Sequence, residues 1–269
     1  MTGNPFDFSG RNALVTGCGS AEGIGFAAAR LLARLGARVA ITSTTPERLD
    51  ARAAELRGDG ASVFAYVADL TDRKQAFDLV AAAQSANGPI DVLVNAAGMV
   101  QTGTDPVSAR FGELEPDELQ RELEITLKTA FHTTQAVLPS MVERGYGRIV
   151  MVSSVTGPLV TAMGSTAYAT AKGAMDAMMR TIALEHGRVG ITANSVAPGW
   201  IATASSAPDE REAGRHTPVG RPGTADEVAG LIAYLASESA SYVTGQSVVV
   251  DGGNVIQEPH GIDLYGSGP

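Results

Sequence analysis

The stretch NALVTGCGSAEGIGFAAARLLARL, residues 12–35, decides the fold. Residues 12–16 form a short apolar run typical of a buried strand, and residues 26–35 read as a helix rich in alanine and leucine. Between them lies the glycine-rich loop 17–25. Glycines let a backbone turn sharply and approach a pyrophosphate, while the start of the next helix offers free N–H groups and a positive dipole end. Strand, loop and helix in this order predict a dinucleotide-binding βα unit.

The rest of the chain continues the alternation of strands and helices. Apolar runs predict six further strands, at 38–42, 62–68, 90–94, 148–153, 191–197 and 246–250. Long helical patterns cover 115–144 (split near Glu124), 166–188 and 224–237. This alternation indicates an α/β protein with a Rossmann-type, doubly wound parallel sheet of seven strands and helices on both faces.

The end of the second predicted strand indicates which dinucleotide is bound. NAD sites commonly carry a carboxylate there for the ribose 2′-OH. Here Ser43, Thr44 and Thr45 follow instead, with Arg48 one turn into the next helix. Hydroxyls beside an arginine suit a 2′-phosphate better, so we expect NADP(H) to be favoured, with NAD(H) possible. The same hydroxyls could cap the helix ahead of Pro46, and the two roles are compatible.

Small and polar residues also follow the third and fourth strands. Asp69 could bond the adenine amino group or cap a helix that begins near Thr71. The fourth strand runs into Asn95-Ala96-Ala97-Gly98, whose small side chains leave room for a flat cofactor. Both strand ends are therefore candidates for cofactor contact.

Tyr168 and Lys172 are four residues apart on a predicted helix and so share one face. An ammonium favours the phenolate, and we expect it to lower the Tyr168 pKa from about 10 toward neutral pH. Such a tyrosine can give and take a proton, while the Ser154 hydroxyl can bond a substrate oxygen. Tyr-x-x-x-Lys is common on ordinary helices, so the assignment depends on the rest of the sequence.

The composition limits the classes of partner. The chain has 269 residues, 44% of them hydrophobic, which suits one large domain. Its net charge of −9 disfavours nucleic acid and anionic membranes. Without a leader sequence or a membrane-spanning run, we expect a cytoplasmic protein. A lone cysteine, Cys18, excludes an internal disulfide. No metal site is expected, since none of the histidines has metal-ligand spacing: His132, His186, His216 and His260.

Over residues 9–254 the chain resembles the short-chain dehydrogenase/reductase family, in particular its 3-oxoacyl-[acyl-carrier-protein] reductase-like members. The matching segments are GCGSAEGIG (17–25), NAAG (95–98), the Ser154, Tyr168 and Lys172 set, NSVAPGWIAT (194–203) and VTGQSVVVDGG (243–253). The resemblance implies strand order 3-2-1-4-5-6-7 and nicotinamide-dependent interconversion of a carbonyl and an alcohol. Since no linker divides the chain, we place one oxidoreductase domain at 1–254 and a tail at 255–269.

The resemblance also implies roles for individual residues. Tyr168 is the general acid in reduction and the base in oxidation. Ser154 holds and polarises the substrate oxygen, and Lys172 lowers the Tyr168 pKa and bonds the nicotinamide ribose. Asn95 and Gly98 support the cofactor, whose nicotinamide end meets Pro198, Gly199 and Thr203. The other expected cofactor-binding residues are Gly17, Ser20, Gly23, Ile24, Ser43, Thr44, Thr45, Arg48, Asp69, Leu70, Ala96 and Ile201.

Two departures from the family pattern stand out. Five residues, Cys18 to Glu22, separate Gly17 from Gly23, where the family usually has three, and Glu22 brings a negative charge toward the phosphates. Thr126 stands where the family has an asparagine that bends its helix and holds a water relaying protons to the lysine. A threonine hydroxyl can bond a water or its own helix. We therefore keep Thr126 as a candidate catalytic residue with a weakened or rerouted relay.

The substrate stays open at this point. A reductase of carrier-linked 3-oxoacyl chains would present arginines to its acidic partner. The corresponding positions are Gly145 and Val189, with Arg144 and Arg188 beside them, so we slightly favour a free small ketone or secondary alcohol. The alternative to an enzyme is a regulatory protein that binds NADP without catalysing a reaction. The small, polar segment 200–218 is expected to form a substrate lid.

We expect self-association. The long helices that carry Thr126 and Tyr168 are expected to expose alanine and methionine stripes across a two-fold axis, and the resemblance implies a homotetramer or homodimer. The apolar stripe of the second of these helices contains Met175, Met178 and Met179, and we expect these residues to lie in the core or at a subunit contact. The tail could reach a neighbouring subunit or be disordered.

Overall fold

Seven parallel strands form the central sheet in the computed structural model of the chain, which describes residues 4–98 and 107–257. Their order is β3-β2-β1-β4-β5-β6-β9, which confirms the predicted doubly wound sheet. The strands are β1 Asn12–Val15, β2 Arg38–Ser43, β3 Val63–Val67, β4 Val92–Asn95, β5 Gly147–Val152, β6 Ile191–Pro198 and β9 Ser247–Val250. Two short strands, β7 Ile201–Ala202 and β8 Gly223–Thr224, pair separately.

Helices cover both faces of the sheet, and their apolar sides create two cores. The helices are α1 Ile24–Arg34, α2 Pro46–Gly58, α3 Arg73–Asn87, α4 Pro116–Glu122, α5 Thr129–Arg144, α6 Thr166–His186, α7 Pro208–Arg215 and α8 Ala225–Ala236. One core contains Phe26 of α1 and Ile232 of α8, and the other contains Leu79 of α3 and Met175 of α6. Both faces of the strands are therefore buried, as a parallel sheet requires.

The split predicted near Glu124 is a π-helical turn. It spans Leu123–Lys128, directly between α4 and α5, and carries Thr126. A π-helical turn widens the helix by one residue per turn and often marks a functional site. This turn packs against α6, which carries Tyr168 and Lys172.

The segment 200–218, predicted to form a substrate lid, contains β7 and the helix α7, at whose start Glu210 accepts from the Ala207 N–H at 2.9 Å. Its role as a lid stays a prediction. The helix expected to begin near Thr71 begins at Arg73, and Asp72 caps it by accepting from the backbone N–H groups of Lys74 and Gln75.

The methionines of α6, predicted to be core or subunit contacts, belong to the core and do not form an exposed stripe. Met175 and Met179 are fully buried in the core of the protomer, and Met178 packs against the same core. The apolar side chains that α5 and α6 do expose include Phe131 and Leu184. At the C-terminus, Asn254–Ile256 forms a 3-10 turn, and the rest of the predicted tail from residue 258 lies outside the described residues, as does His260.

The site follows from the strand order. β1 and β4 are neighbours in the sheet. The next strand after β1, β2, lies on one side of this pair, and the next strand after β4, β5, lies on the other side. In doubly wound sheets, ligands bind where the order reverses, beyond the carboxyl ends of the strands. Here that crevice is bounded by the glycine loop after β1 and by residues 95–98 after β4.

Candidate active site

The glycine loop presents bare backbone to the crevice. Gly17 has φ +71°, in the left-handed region, and a side chain there would collide with the backbone of Ala96. Gly23 is the N-cap residue of α1 and makes no side-chain hydrogen bond. The backbone N–H groups of the first helical turn, which begins at Ile24, can therefore bind an anion at the positive end of the helix dipole. Ser20 turns the loop by accepting from the Gly23 N–H. The residues therefore fit a dinucleotide pyrophosphate, and the extra residue Glu22 is exposed.

Thr16 ties the two sides of the crevice together, a role that sequence reasoning missed. Its hydroxyl oxygen accepts from the backbone N–H groups of Ala96 and Ala97, both at 3.0 Å. Cys18 anchors the same loop to β2 by donating its N–H to the Thr42 carbonyl. The loop geometry is therefore fixed from both neighbouring strands.

Ser43 and Arg48 lie against the glycine loop. A β-carbon built at Gly19 would be 2.6 Å from the Ser43 hydroxyl oxygen and 3.9 Å from the Arg48 β-carbon. Thr45 occupies the cap position of α2 but makes no side-chain capping bond, and its N–H donates to Ser43. Thr44 is exposed. Of the residues predicted to bind a 2′-phosphate, Ser43 and Arg48 thus lie beside the glycine loop.

Asp69 is held in place locally. Its Oδ1 accepts from both the N–H and the hydroxyl of Thr71, so it stabilises a turn rather than capping α3. The next residue, Leu70, is buried, and its carbonyl oxygen lies 3.0 Å from Nδ1 of His132. Both follow β3, the outermost strand of this half of the sheet.

Asn95 points its side chain into the protein. Its amide contacts Thr133, Thr134 and Met151, and only 1% of the residue is exposed. Asn95 therefore fastens α5 to the strand end and supports the crevice indirectly. Gly98, with φ +142°, packs directly on Thr126, since a β-carbon there would lie 3.4 Å from the threonine hydroxyl.

The end of β6 closes the other side of the crevice. The Pro198 carbonyl accepts from the Val155 N–H, which joins it to the segment after β5. A side chain at Gly199 would meet the Asp251 side chain at 2.6 Å. Ile201 lies in β7, and the Thr203 carbonyl accepts from Arg211 of α7. The residues expected at the nicotinamide end therefore form one connected wall.

Ser154, Tyr168 and Lys172 come together on the β5 side of the crevice. Ser154 lies just beyond β5, and its hydroxyl is close enough to Tyr168 to lower the pKa of the phenol. The same Ser154 oxygen accepts from the Thr156 N–H at 3.0 Å, which fixes its direction. Lys172 is buried one turn along α6, and its ammonium donates to the Val152 carbonyl at 2.7 Å. The structure thus assembles the predicted set.

The expected lowering of the Tyr168 pKa is wrong. Burial raises the pKa of Tyr168 to about 12, and the nearby negative charges of Glu122 and Glu210 act in the same direction. The neighbouring Ser154 hydroxyl lowers this pKa but does not outweigh burial. Burial also lowers the pKa of Lys172 to about 8, so the site disfavours charge on both groups.

Thr126 does not face solvent but a carboxylate. Its hydroxyl donates to Oε1 of Glu122 at 2.6 Å, and both residues are buried. Sequence reasoning missed Glu122, because a glutamate in a stretch rich in charged residues looks like part of an exposed helix face. The clue was its spacing, one turn before the unusual Thr126.

Within residues 4–98 and 107–257, no three histidine, cysteine, aspartate or glutamate side chains are grouped to hold a metal ion. In the same part of the chain, no helix has the length and apolar character to cross a membrane. The chemical resources of the crevice are thus a hydroxyl, a phenol, an ammonium and a set of anion-binding backbone amides. That combination suits proton transfer to an oxygen atom beside a bound dinucleotide.

Comparisons with known proteins agree with this geometry. A family model described as Enoyl-(Acyl carrier protein) reductase matches residues 17–254. The chain is 36% identical to oxidoreductase UcpA of Escherichia coli, over 93% of this chain and 96% of that protein. It is 39% identical to the 3-oxoacyl-[acyl-carrier-protein] reductase FabG of Thermotoga maritima, over 92% and 98%. With the gluconate 5-dehydrogenase of Gluconobacter oxydans it shares 35% identity, over 92% and 96%.

A solved structure supports the same assignment. A short-chain dehydrogenase/reductase from Serratia marcescens superimposes with a TM-score of 0.83 and 32% identity, covering 93% of this chain and 99% of that one. The order of the seven strands agrees with this structural match. The chain therefore belongs to the short-chain dehydrogenase/reductase family, oxidoreductases that act on CH–OH groups with nicotinamide cofactors.

Proposed function

We propose that the protein is an NADP(H)-preferring oxidoreductase that interconverts a small ketone and a secondary alcohol. The observation that carries this proposal is the placement of the Ser154 hydroxyl beside the Tyr168 phenol, one helical turn from the buried Lys172 ammonium. Two neighbouring hydroxyls can both reach one substrate oxygen. That oxygen would lie beside the wall formed by Pro198 and Gly199.

In the proposed reaction, the bound cofactor supplies or accepts a hydride at the substrate carbon. Tyr168, with its pKa raised to about 12, is protonated at neutral pH and so is ready to donate. As the carbonyl becomes an alcohol, the Tyr168 proton moves to the substrate oxygen, while Ser154 holds that oxygen in place. Lys172, fixed by the Val152 carbonyl, supplies a positive charge beside the phenolate that remains. Oxidation is the reverse of these steps.

The preference for NADP(H) rests on the end of β2. Ser43 and Arg48 adjoin the glycine loop, and residues 43–45 contain no carboxylate that would repel a 2′-phosphate. An arginine paired with hydroxyls is a suitable phosphate partner. NAD(H) would bind at the same place with the loss of that contact.

A free substrate is favoured over a carrier-linked one by the position of Arg144. Its guanidinium donates to the Asp91 carboxylate and the Ile90 carbonyl, so it is engaged at the base of β4. The net charge of −9 would also repel an acidic carrier protein. The likeness to gluconate 5-dehydrogenase supports a small substrate, whereas the 39% identity to FabG keeps carrier-linked 3-oxoacyl chains as the second candidate.

The experiment compares free and carrier-linked ketones. NADPH oxidation would be followed with ethyl acetoacetate and with acetoacetyl-acyl carrier protein, and NADP⁺ reduction with D-gluconate. We expect turnover of at least one free substrate, at a kcat/KM no lower than that of the carrier-linked one. Turnover of the carrier-linked substrate alone would favour the FabG-like reaction. Tight NADPH binding without turnover of any substrate would favour the NADP-binding regulator.

We also propose that the enzyme is a cytoplasmic homotetramer or homodimer. The exposed apolar side chains of Phe131 on α5 and Leu184 on α6 support association through these two helices. Sedimentation of the purified protein tests this, and a strictly monomeric species would contradict it.

A further inference from the structure

Glu122, the last residue of α4, is a buried carboxylate beside the candidate active site. Only 3% of its surface is exposed. A buried carboxylate is costly unless other groups compensate for its charge. One compensating group is the Thr126 hydroxyl, which donates to Oε1 at 2.6 Å. Such a short bond to a charged acceptor is stronger than one between neutral groups.

The π-helical turn sets this contact. Glu122 ends the regular helix α4, and Thr126 lies within the wider turn Leu123–Lys128. On its other side Thr126 packs against Gly98, at the end of β4, where a β-carbon would lie 3.3 Å from the threonine Cα. Both α4 and the π-helical turn pack against α6, so the Glu122–Thr126 pair is held between Gly98 at the crevice and the helix that carries Tyr168 and Lys172.

The charge of Glu122 acts on both titrating groups of the site. It raises the pKa of Lys172 against the effect of burial, and it raises the pKa of Tyr168. The other charged groups that act there are Asp176 of α6, on Lys172, and Glu210 of α7, on Tyr168. Within the described residues, neither carboxylate oxygen of buried Asp176 has a hydrogen-bond partner. Among the residues that the structure describes, Glu122 is the one carboxylate that acts on both Tyr168 and Lys172.

We propose that Glu122 is a positioning residue for catalysis: its carboxylate, oriented by Thr126, keeps the buried Lys172 charged and so sets the pH range in which Tyr168 exchanges its proton. The inference rests on the proposed function, because it assigns Tyr168 and Lys172 the roles given there. It differs from a purely structural role, in which Glu122 would only satisfy the Thr126 hydroxyl. The two roles differ in what happens when the charge alone is removed.

The direct test is the titration of Lys172 in Glu122→Gln. Glutamine keeps the shape and an oxygen that accepts from Thr126, but it carries no charge. The chain has three lysines, Lys74, Lys128 and Lys172, so side-chain NMR of lysine-labelled protein gives three resolvable signals. We expect the Lys172 midpoint to fall by about one pH unit. An unchanged Lys172 midpoint would overturn the proposal. Neither cofactor nor substrate is needed, so this result stands even where the proposed reaction fails.

Glu124→Gln is the matched control. Glu124 lies two residues further on, in the π-helical turn; its side chain is 42% exposed and pairs with Lys128. Replacement of Glu124 should change the chemical shift of the Lys128 signal and leave the titration midpoint of Lys172 unchanged. If both variants move Lys172 equally, the effect is general to the turn, and the assignment to Glu122 is wrong.

Variants of Thr126 test the orientation and keep the proposal testable if Glu122→Gln does not fold. Thr126→Val removes the donor, lets the carboxylate turn away, and should lower the Lys172 midpoint, whereas Thr126→Ser should restore it. In the ketone assay, the alkaline limb of the kcat profile should shift to lower pH in Thr126→Val and Glu122→Gln. Profiles that superimpose on the wild type, with Lys172 midpoints unmoved, would assign Glu122 and Thr126 a structural role only.

Discussion

The Lys172 ammonium lies 5.6 Å from the centroid of the Tyr168 ring, over its face. The two side chains are thus neighbours on α6, as their spacing predicted, yet the ammonium donates its hydrogen bond to the Val152 carbonyl. In this enclosed site, burial dominates the pKa of both groups. The raised pKa therefore keeps Tyr168 in its proton-donating form at neutral pH.

Gly17→Ala should disable the dinucleotide site. The residue has φ +71°, which costs an alanine about 1–2 kcal/mol, and its side chain would also strike the Ala96 backbone. Gly60→Ala is the matched control, because Gly60 has φ +86° but no atom within 4 Å of the added carbon. Both variants should lose thermal stability, and only Gly17→Ala should bind NADPH at least about tenfold more weakly by fluorescence titration. If Gly17→Ala and Gly60→Ala bound NADPH with equal affinity, the cofactor phosphates would not bind at the glycine loop.

Arg48→Ala should weaken NADPH binding much more than NADH binding. A charge-assisted bond to phosphate contributes about 1.5–3 kcal/mol, which corresponds to a loss of about tenfold to a hundredfold in affinity. Arg57→Ala, in the last turn of the same helix, serves as the control, since Arg57 is exposed and donates to the Val63 carbonyl. Dissociation constants for both cofactors test the prediction. A parallel loss for NADH and NADPH would remove the argument for a 2′-phosphate site.

Cys18 should make the protein less stable in alkali. Burial raises the pKa of its thiol far above the unfolded value, so above about pH 9 the unfolded chain loses a proton that the folded chain keeps. The free energy of unfolding should then fall by about 1.4 kcal/mol per pH unit from this group. Urea unfolding from pH 8 to 10 should give a shallower decline for Cys18→Ala. Parallel curves, or rapid reaction of the native thiol with a disulfide reagent, would contradict the burial.

The sheet and the site could largely be predicted because they depend on local patterns. Apolar runs bounded by small residues identified all seven strands of the main sheet, and the glycine loop identified the first βα turn. The short strands β7 and β8 and the helix α7 were missed, since the polar segment around Pro208 has no apolar periodicity. Their contacts with the rest of the chain, such as Arg211 with Thr203, form only in the folded protein.

The electrostatics of the site could not be predicted from spacing. The sequence places Lys172 one turn from Tyr168, but whether an ammonium lowers a tyrosine pKa depends on enclosure and on the other charges nearby. One of those charges, Glu122, is buried by a π-helical turn that the sequence indicated only as a break near Glu124. Asn95 likewise looks like a cofactor ligand in sequence, but its side chain fastens α5.

Tyr168→Phe tests the central claim most directly. The substitution removes one hydroxyl, so the rate of NADPH oxidation by the best free ketone should fall by about 10²–10⁴-fold. The NADPH dissociation constant should stay close to that of the wild type. Tyr242→Phe, at a fully exposed tyrosine, should leave both values unchanged. A Tyr168→Phe enzyme that keeps most of its turnover would contradict the assignment of Tyr168 as the proton donor.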